Sequence, residues 1–461
     1  MTKTKNYDII VIGNGSGAAI AKKATKNGLK TLIIDKDGNG GTCINYGCIP
    51  SKNLISPADM VHDLERMKNL GIDVSLTDID FEKIMSRMHD SRRIRSKAKI
   101  KKQKSTENLD FINAEASFVG EKTIEVKGMK YHGKKIFINT GAKPMIPPID
   151  GTEDVPYLTN ESLLELKKKP ESIIIIGGGY IGVEFENFFS AMGTDVTIVQ
   201  RDDRLVPPVL AELSDILLKL IQKRSRVLLN SNARKIKSTD EQIIVEIEQN
   251  NGKSIELKAE KVLIATGRRP ATKALNCEKA GIKLEKKGFV IVDQYYQTTA
   301  KDIYAIGDCN GKAMFKHIAN KEAEFAWHNA KNVDKKSVDY DAIPYAIYSH
   351  PNIAAIGLNI DEAVERYGKD DILIGHSDYW HIAKGFAIDE KDGQAIAIVH
   401  KKTDKILGFN IIGPQSPVLI QEIITTIKQN GTKESILDSI HIHPALSEII
   451  STCFSRLQEV E

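Results

Sequence analysis

Apolar runs of four or five residues, each closing on glycine or a polar residue, alternate with helical periodicity through much of the chain. Ile9-Ile10-Val11-Ile12 reads as a buried parallel strand, since a strand covered on both faces is continuously apolar. It enters Gly13-Asn14-Gly15-Ser16-Gly17-Ala18-Ala19, a helical pattern follows to about Asn27, and Gly28 supplies a stop. Thr31-Leu32-Ile33-Ile34 is the next strand and ends at Asp35. The pattern recurs: Ser172-Ile173-Ile174-Ile175-Ile176 leads into Gly177-Gly178-Gly179-Tyr180-Ile181-Gly182-Val183-Glu184, and Asp195-Val196-Thr197-Ile198-Val199 ends at Gln200-Arg201. From about Ile343 the pattern changes to alternating strands such as residues 395–399 and 407–412. Two helical stretches follow, the last starting near Ser447. That stretch predicts an α+β domain with its own core.

Each βαβ repeat carries dinucleotide chemistry. Gly13 permits a tight turn, Gly15 lets the backbone approach a pyrophosphate at the helix N-terminus, and Ala18 takes the third fingerprint position. Asp35 is placed to accept from ribose hydroxyls. Gly177, Gly179 and Gly182 supply the second fingerprint in full. An ordinary βα turn accounts for one such site more easily than for two. Ile138-Asn139-Thr140-Gly141-Ala142-Lys143-Pro144 and Ile264-Ala265-Thr266-Gly267-Arg268-Arg269-Pro270 resemble each other and read as chain crossings between domains.

Between the two fingerprints lies Gly41-Thr42-Cys43-Ile44-Asn45-Tyr46-Gly47-Cys48-Ile49-Pro50-Ser51-Lys52. A gap of four residues fits a CxxC redox site poorly, but it places both thiols on one side of a helical turn within reach of a disulfide. Two unrelated buried cysteines, or half a metal site, are the competing readings. Cys277, Cys309 and Cys453 stand alone and offer no second pair to complete a metal site.

Bulk composition narrows the class. At 461 residues the chain exceeds one ordinary core, and 41% hydrophobic with 27% charged residues describes a soluble globular protein. No apolar run reaches membrane-span length, and the polar start Met1-Thr2-Lys3-Thr4-Lys5-Asn6-Tyr7-Asp8 shows no signal peptide. Five cysteines without framework spacing point to a reducing cytoplasm. A net charge of +4 does not imply nucleic acid. Residues 92–104 hold eight basic side chains, no acid and no aromatic residue for base stacking. Such a run is either a solvated helix face or a patch that steers an anionic substrate.

From about residue 7 to its end, the chain resembles the class I pyridine nucleotide–disulfide oxidoreductases, which include dihydrolipoamide, glutathione, mycothione and mercuric enzymes. The motifs are the residues from Gly40 to Lys52, both fingerprints, Ala305-Ile306-Gly307-Asp308, and His441-Ile442-His443-Pro444-Ala445-Leu446-Ser447-Glu448. The resemblance implies an α/β protein: two Rossmann-like domains for FAD and NAD(P), plus a C-terminal α+β dimerisation domain. Its expected divisions are 1–147 and 270–340 for FAD, 148–269 for NAD(P), and 341–461 for the interface. The FAD set would be Gly13, Gly15, Ala18, Asp35, Gly41, Thr42, Lys52, Thr140, Gly141 and Asp308. The NAD(P) set would be Gly177, Gly179, Gly182, Gln200, Arg201, Arg204 and Gly267.

By the same resemblance Cys43 is the interchange thiol and Cys48 the thiol against the flavin. Lys52 and its carboxylate partner Glu184 lie beside the flavin's reactive nitrogen, and His443 is the base oriented by Glu448. Exchange near neutral pH needs such a base. In the family the histidine comes from a second subunit, so a homodimer is expected, and His441 has a supporting role.

The redox segment and the HxHPxLSE tail resemble dihydrolipoamide dehydrogenase, while Asn352-Ile353-Ala354-Ala355-Ile356-Gly357, Leu419-Ile420-Gln421 and His443-Pro444-Ala445-Leu446 look more like mycothione reductase. Mercuric reductase is disfavoured by His443 with Glu448, by the lack of a paired C-terminal cysteine and by the lack of an N-terminal metal domain. Gln200 replaces the acid of NAD-specific sites and is followed by Arg201 and Arg204, so NADPH is favoured over NADH. The leading expectation is an NADPH-dependent reductase of a small disulfide, with no metal. The alternatives are an NAD-linked dihydrolipoamide dehydrogenase, with a 2-oxoacid dehydrogenase complex as partner, and a non-catalytic flavin-binding assembly partner.

Overall fold

The computed structural model describes residues 4–38, 40–239 and 241–460. The first three residues of the polar N-terminal segment lie outside them. The chain divides into two compact units: Met1–Asn53, Met85–Ile146 and Gly267–Tyr340 form one, and Leu54–Ile84, Pro147–Thr266 and Asp341–Glu461 form the other.

In the first unit the buried apolar runs pair as parallel strands. Leu109–Ile112, Thr31–Ile34, Lys5–Ile12 and Met129–Ile138 lie in that order. The long strand Met129–Ile138 serves two further neighbours. Its start forms an antiparallel hairpin with Thr123–Val126, and its end pairs in parallel with Ile303–Ala305. This brings the segment before Asp308 alongside strands contributed from the N-terminal part of the chain. Helices Gly17–Lys26 and Lys316–Asn329 cover one face, closing a core around Ile9, Val11, Ile20, Phe137, Ala323 and Ala326. The two crossing segments pair with each other as short antiparallel strands, Ala142–Pro144 against Arg268–Pro270.

Among the described residues the second unit holds three sheets. Arg226–Leu228, Asp195–Val199, Ser172–Ile176 and Lys261–Ile264 make a parallel sheet. An antiparallel sheet of Ser231–Ser238, Ile243–Gln249 and Ser254–Ala259 belongs to the same unit. The C-terminal residues build a six-stranded antiparallel sheet whose central strands, Gln394–His400 and Ile406–Ile412, are almost wholly buried. Helix Glu448–Ser455 packs on this sheet through Ile449, Ile450, Cys453 and Phe454.

Glu186 joins the parallel-sheet region to the C-terminal one. Its side chain is fully buried and accepts from Arg224 Nε and Nη2, both at 3.0 Å, and from Ser225 Oγ at 2.7 Å. Arg224 Nη1 donates onward to the His350 carbonyl at 2.9 Å. Removing the guanidinium would strand a buried carboxylate. Arg224→Met should therefore destabilise the protein by roughly 3–5 kcal/mol, read as a lower denaturation midpoint, and adding Glu186→Gln should restore part of that. A single-variant loss under about 1 kcal/mol, the range of an exposed pair, would mean that water reaches Glu186.

Candidate active site

The first glycine turn is fixed by its backbone contacts. Gly13 has φ +107°, and a Cβ there would lie 2.0 Å from the Asn139 carbonyl oxygen, so no side chain fits. Asn139 in turn holds the turn to the rest of the unit. Its Oδ1 accepts from Gly17 N at 2.7 Å, and its Nδ2 donates to Ile306 O at 3.0 Å. The tight helix–strand approach falls to Gly17, whose Cβ would meet Val11 Cγ1 at 2.6 Å, one residue before the expected Ala18. Asp35 Oδ2 accepts from Asn14 N at 2.5 Å and Oδ1 from Asp37 N at 2.9 Å. Burial raises the Asp35 pKa, against the pull of these N–H groups.

Behind the turn, the Thr140 hydroxyl and Arg268 Nε are buried without a hydrogen-bond partner among the described residues. Buried polar groups are normally satisfied, and these two lie beside a glycine-lined cradle. A dinucleotide fits that cradle: Gly13, Gly15, Gly41, Thr140, Gly141 and Asp308 would hold it. Asp308 is raised by burial, while Arg268, 3.3 Å away, favours its ionised form. The short helix bearing Asp308 is held from beneath by fully buried Glu322, which accepts from Gly307 N at 2.6 Å, Asn310 Nδ2 at 3.0 Å and Tyr340 OH at 2.6 Å. Asn139, Arg268 and Glu322 escaped the sequence reading. Asn139 and Arg268 lie in the two crossing segments, whereas Glu322 had no local signal.

Cys43 and Cys48 do not share one helix, as their spacing predicted. Cys43 lies in Gly41–Asn45 and Cys48 is the first residue of Cys48–Asn69. Between them Tyr46 leaves helical geometry, and Gly47 packs where a Cβ would meet Thr42 O at 3.2 Å. The break still brings the thiols together: they are unbridged, with a hydrogen bond between them. That bond, then burial, raises the Cys43 pKa, while Lys316 and Lys52 oppose the rise. Cys48 heads a long helix. A Cβ on Gly41 would come 2.8 Å from Gly15 Cα, so the redox segment rests directly on the first nucleotide turn. Lys52 Nζ donates to Ser51 Oγ at 3.4 Å.

The basic run lies on helix Phe81–Lys104, and most of its charges are exposed. Arg92 instead stacks on the Tyr46 ring, 5.7 Å from its centroid, between the two cysteines.

The second turn repeats the first. Gly177 has φ +109°, its Cβ would lie 2.5 Å from Ala265 O, and a Cβ on Gly182 would lie 2.0 Å from Gly177 O. A Cβ on Gly179 meets nothing within 4 Å, so the approach to that residue is open. Gln200 takes the place of Asp35: its Oε1 accepts from Gly178 N at 2.9 Å. Its Nε2 donates to Arg204 O and to Asp202 Oδ2, each at 3.1 Å, so the amide is buried and engaged. Arg201 pairs with Asp202 at 3.3 Å with its side chain 75% exposed, and Arg204 pairs with Asp203 at 3.1 Å. Glu184, buried on the following helix, accepts from Tyr348 N at 3.2 Å. Gly267 stands in the first unit, its carbonyl accepting from Met145 N at 2.9 Å.

Near the C-terminus His443 Nδ1 meets Glu448 Oε1 at 2.8 Å, and Glu448 Oε2 accepts from Ala445 N at 3.0 Å. Glu448 is the first residue of its helix; the His443 contact, then the Ala445 N–H, lowers its pKa. The His443 side chain is 71% exposed and so faces outward. His441 Nε2 meets Glu422 Oε1 at 3.0 Å.

Residues 7–362 match the family model described as pyridine nucleotide-disulphide oxidoreductase, and 343–453 match that family's dimerisation domain. A dihydrolipoyl dehydrogenase of Synechocystis is 32% identical over 99% of this chain and 100% of its own length. A mercuric reductase of Staphylococcus aureus is 30% identical over 96% of this chain and 81% of its own. The solved copper(II) complex of the HOCl-induced flavoprotein disulfide reductase RclA from Escherichia coli superposes with a TM-score of 0.88 at 28% identity, covering 98% of this chain and 99% of that one.

The two turns can be separated by mutation. Gly13→Ala should yield protein without bound flavin. Gly182→Ala should keep flavin but lose its reduction by nicotinamide nucleotides, because each added methyl would sit 2.0 Å from a backbone oxygen. Flavin retained in Gly13→Ala, measured by absorbance after gel filtration, would contradict this assignment.

Proposed function

The chain belongs to the pyridine nucleotide–disulphide oxidoreductases, and on that premise we propose that it is an NADPH-linked reductase of a small disulfide. FAD, when bound, supplies two-electron exchange between nicotinamide hydride and the dithiol. This chain's residues do the rest. His443 takes the proton of the Cys43 thiol as that sulfur attacks one sulfur of the substrate; the substrate S–S bond breaks, a mixed disulfide forms, and the departing thiolate takes the proton back from His443. Cys48 then attacks the Cys43 sulfur, releasing the second thiol and leaving Cys43 and Cys48 bonded. Lys52 and Glu184 serve the flavin end.

The observation that carries this reading is the contact between His443 Nδ1 and Glu448 Oε1 at 2.8 Å on an exposed imidazole. With Nδ1 committed to a carboxylate, Nε2 is left to hold and move the proton. In the family arrangement that base serves the dithiol of a second copy, so the active form is a homodimer. Cys453, the C-terminal cysteine, is fully buried with its thiol donating to Gly375 O at 3.0 Å.

NADPH is favoured because buried Gln200 brings no negative charge to the second strand end, while two guanidiniums sit within four residues of it. The opposite reading, an NAD-linked dihydrolipoamide dehydrogenase, draws on Asp202 and Asp203. These already pair with Arg201 and Arg204, so a 2′-phosphate must displace them. Exposed pairs of this kind yield readily.

His443→Gln should slow disulfide exchange by roughly 10²–10⁴-fold and leave flavin reduction near normal, as resolved by stopped-flow of each half-reaction. A parallel fall in both would make His443 structural. For the nucleotide, kcat/KM should favour NADPH, and Arg201→Ala with Arg204→Ala should cut that preference by about ten- to a hundredfold. An NADH preference untouched by the double variant would restore the dihydrolipoamide dehydrogenase reading.

A further inference from the structure

Two lysines reach the first nucleotide turn from elements that carry no fingerprint. Lys99 projects from helix Phe81–Lys104 and donates to the Asn14 carbonyl. Lys316, the first residue of helix Lys316–Asn329, donates to Ser16 Oγ at 2.8 Å, and Ser16 Oγ passes the bond to Asn320 Oδ1 at 2.9 Å. Gln103, one helical turn beyond Lys99, donates to Asn14 Oδ1 at 2.8 Å and fixes the helix against the turn. Both amines are half-buried, unlike the exposed lysines 97, 101, 102 and 104.

Neither amine has a carboxylate within ion-pair distance among the described residues. The acids closest in charge to them are committed elsewhere: Asp35 to the Asn14 and Asp37 N–H groups, and Asp308 to Arg268. Each ammonium carries three donors and spends one on a neutral oxygen. Two cations without a carboxylate partner, one on the Asn14 carbonyl and one on Ser16 Oγ, thus meet the turn that opens helix Gly17–Lys26 and bring positive charge to it.

We propose that Lys99 and Lys316 are a paired seat for the diphosphate of the bound dinucleotide, adding side-chain charge to a turn otherwise built from backbone. The assignment rests on flavin dinucleotide occupying the first turn. Burial, then the neighbouring Lys316 charge, lowers the Lys99 pKa to about 8, with Asp35 and Cys43 opposing. Burial also lowers Lys316, against Cys43, Cys48 and Asp308. An arriving diphosphate relieves both amines, so it binds best while Lys99 keeps its proton.

The test is titration of apoprotein with FAD and with riboflavin, which has the same ring system and no phosphate, followed by quenching of flavin fluorescence. Lys99→Met and Lys316→Met should each weaken FAD about tenfold or more and leave riboflavin within about twofold. In wild type, FAD affinity should hold steady below about pH 8, fall above it and weaken with salt, while riboflavin follows neither trend. Equal losses for both ligands, or no loss for either, would overturn the seat. So would a Lys316→Met protein that binds FAD normally but shows a raised thiol pKa in iodoacetamide labelling, since that lysine would then serve the dithiol. Wild type that binds neither ligand would instead refute flavin in the first turn.

Discussion

The backbone of each glycine turn runs so close to a neighbouring carbonyl that a β-carbon has no room: Gly13 against Asn139 O, Gly177 against Ala265 O. That exclusion sets the helix start against the strand end, and through it the direction of the helix N–H groups. In the first unit the consequences extend further. Asn139 ties Gly17 to Ile306, so the helix after the turn and the segment before Asp308 move as one piece. The redox segment is then laid on the same turn through Gly41 and Gly15. First turn, dithiol and Asp308 are thus referred to a single backbone contact.

Chemistry within a few residues of a strand end was legible in the sequence; chemistry assembled across the chain was not. The glycine spacings, Asp35, Gln200, and His443 with Glu448 are local, because their geometry follows from one turn or one helix start. Asn139 grips Gly17 across 122 residues and Lys316 reaches Ser16 across 300, and nothing in either neighbourhood announces it. Helix Cys48–Asn69, which the sequence reading did not name, is one element although the division between the two compact units falls within it, after Asn53. The basic run read as a single feature, yet a helix turns some of its side chains inward, and the structure separates Lys99 and Arg92 from the solvated rest.

Gln200 reads from the sequence only as a neutral residue standing where NAD-specific sites carry an acid, and its structural contacts add to that reading. Its carboxamide, with one acceptor and two N–H donors, spans Gly178 N and Arg204 O and so holds the turn. Asp35 meets the equivalent N–H at 2.5 Å but has no donor to give. Asp35 bridges Asn14 N and Asp37 N with a carboxylate, whereas the second turn makes its bridge with a neutral amide and so without a buried charge.

That difference separates a resident ligand from a passing one. The first cradle holds two desolvated amines, a buried hydroxyl and a guanidinium nitrogen without partners, and carboxylates raised by burial. Such groups are unfavourable while unmatched, so a ligand that matches several of them is held tightly. Around the second turn the buried polar group is already satisfied, and the charges of Arg201, Asp202, Arg204 and Asp203 sit at the surface in pairs that water and salt weaken. On the proposed assignment a nucleotide there would replace weak contacts with modestly better ones and could leave again. The same backbone turn, given two electrostatic settings, is suited in one copy to a cofactor that stays and in the other to a reductant that must exchange at every turnover.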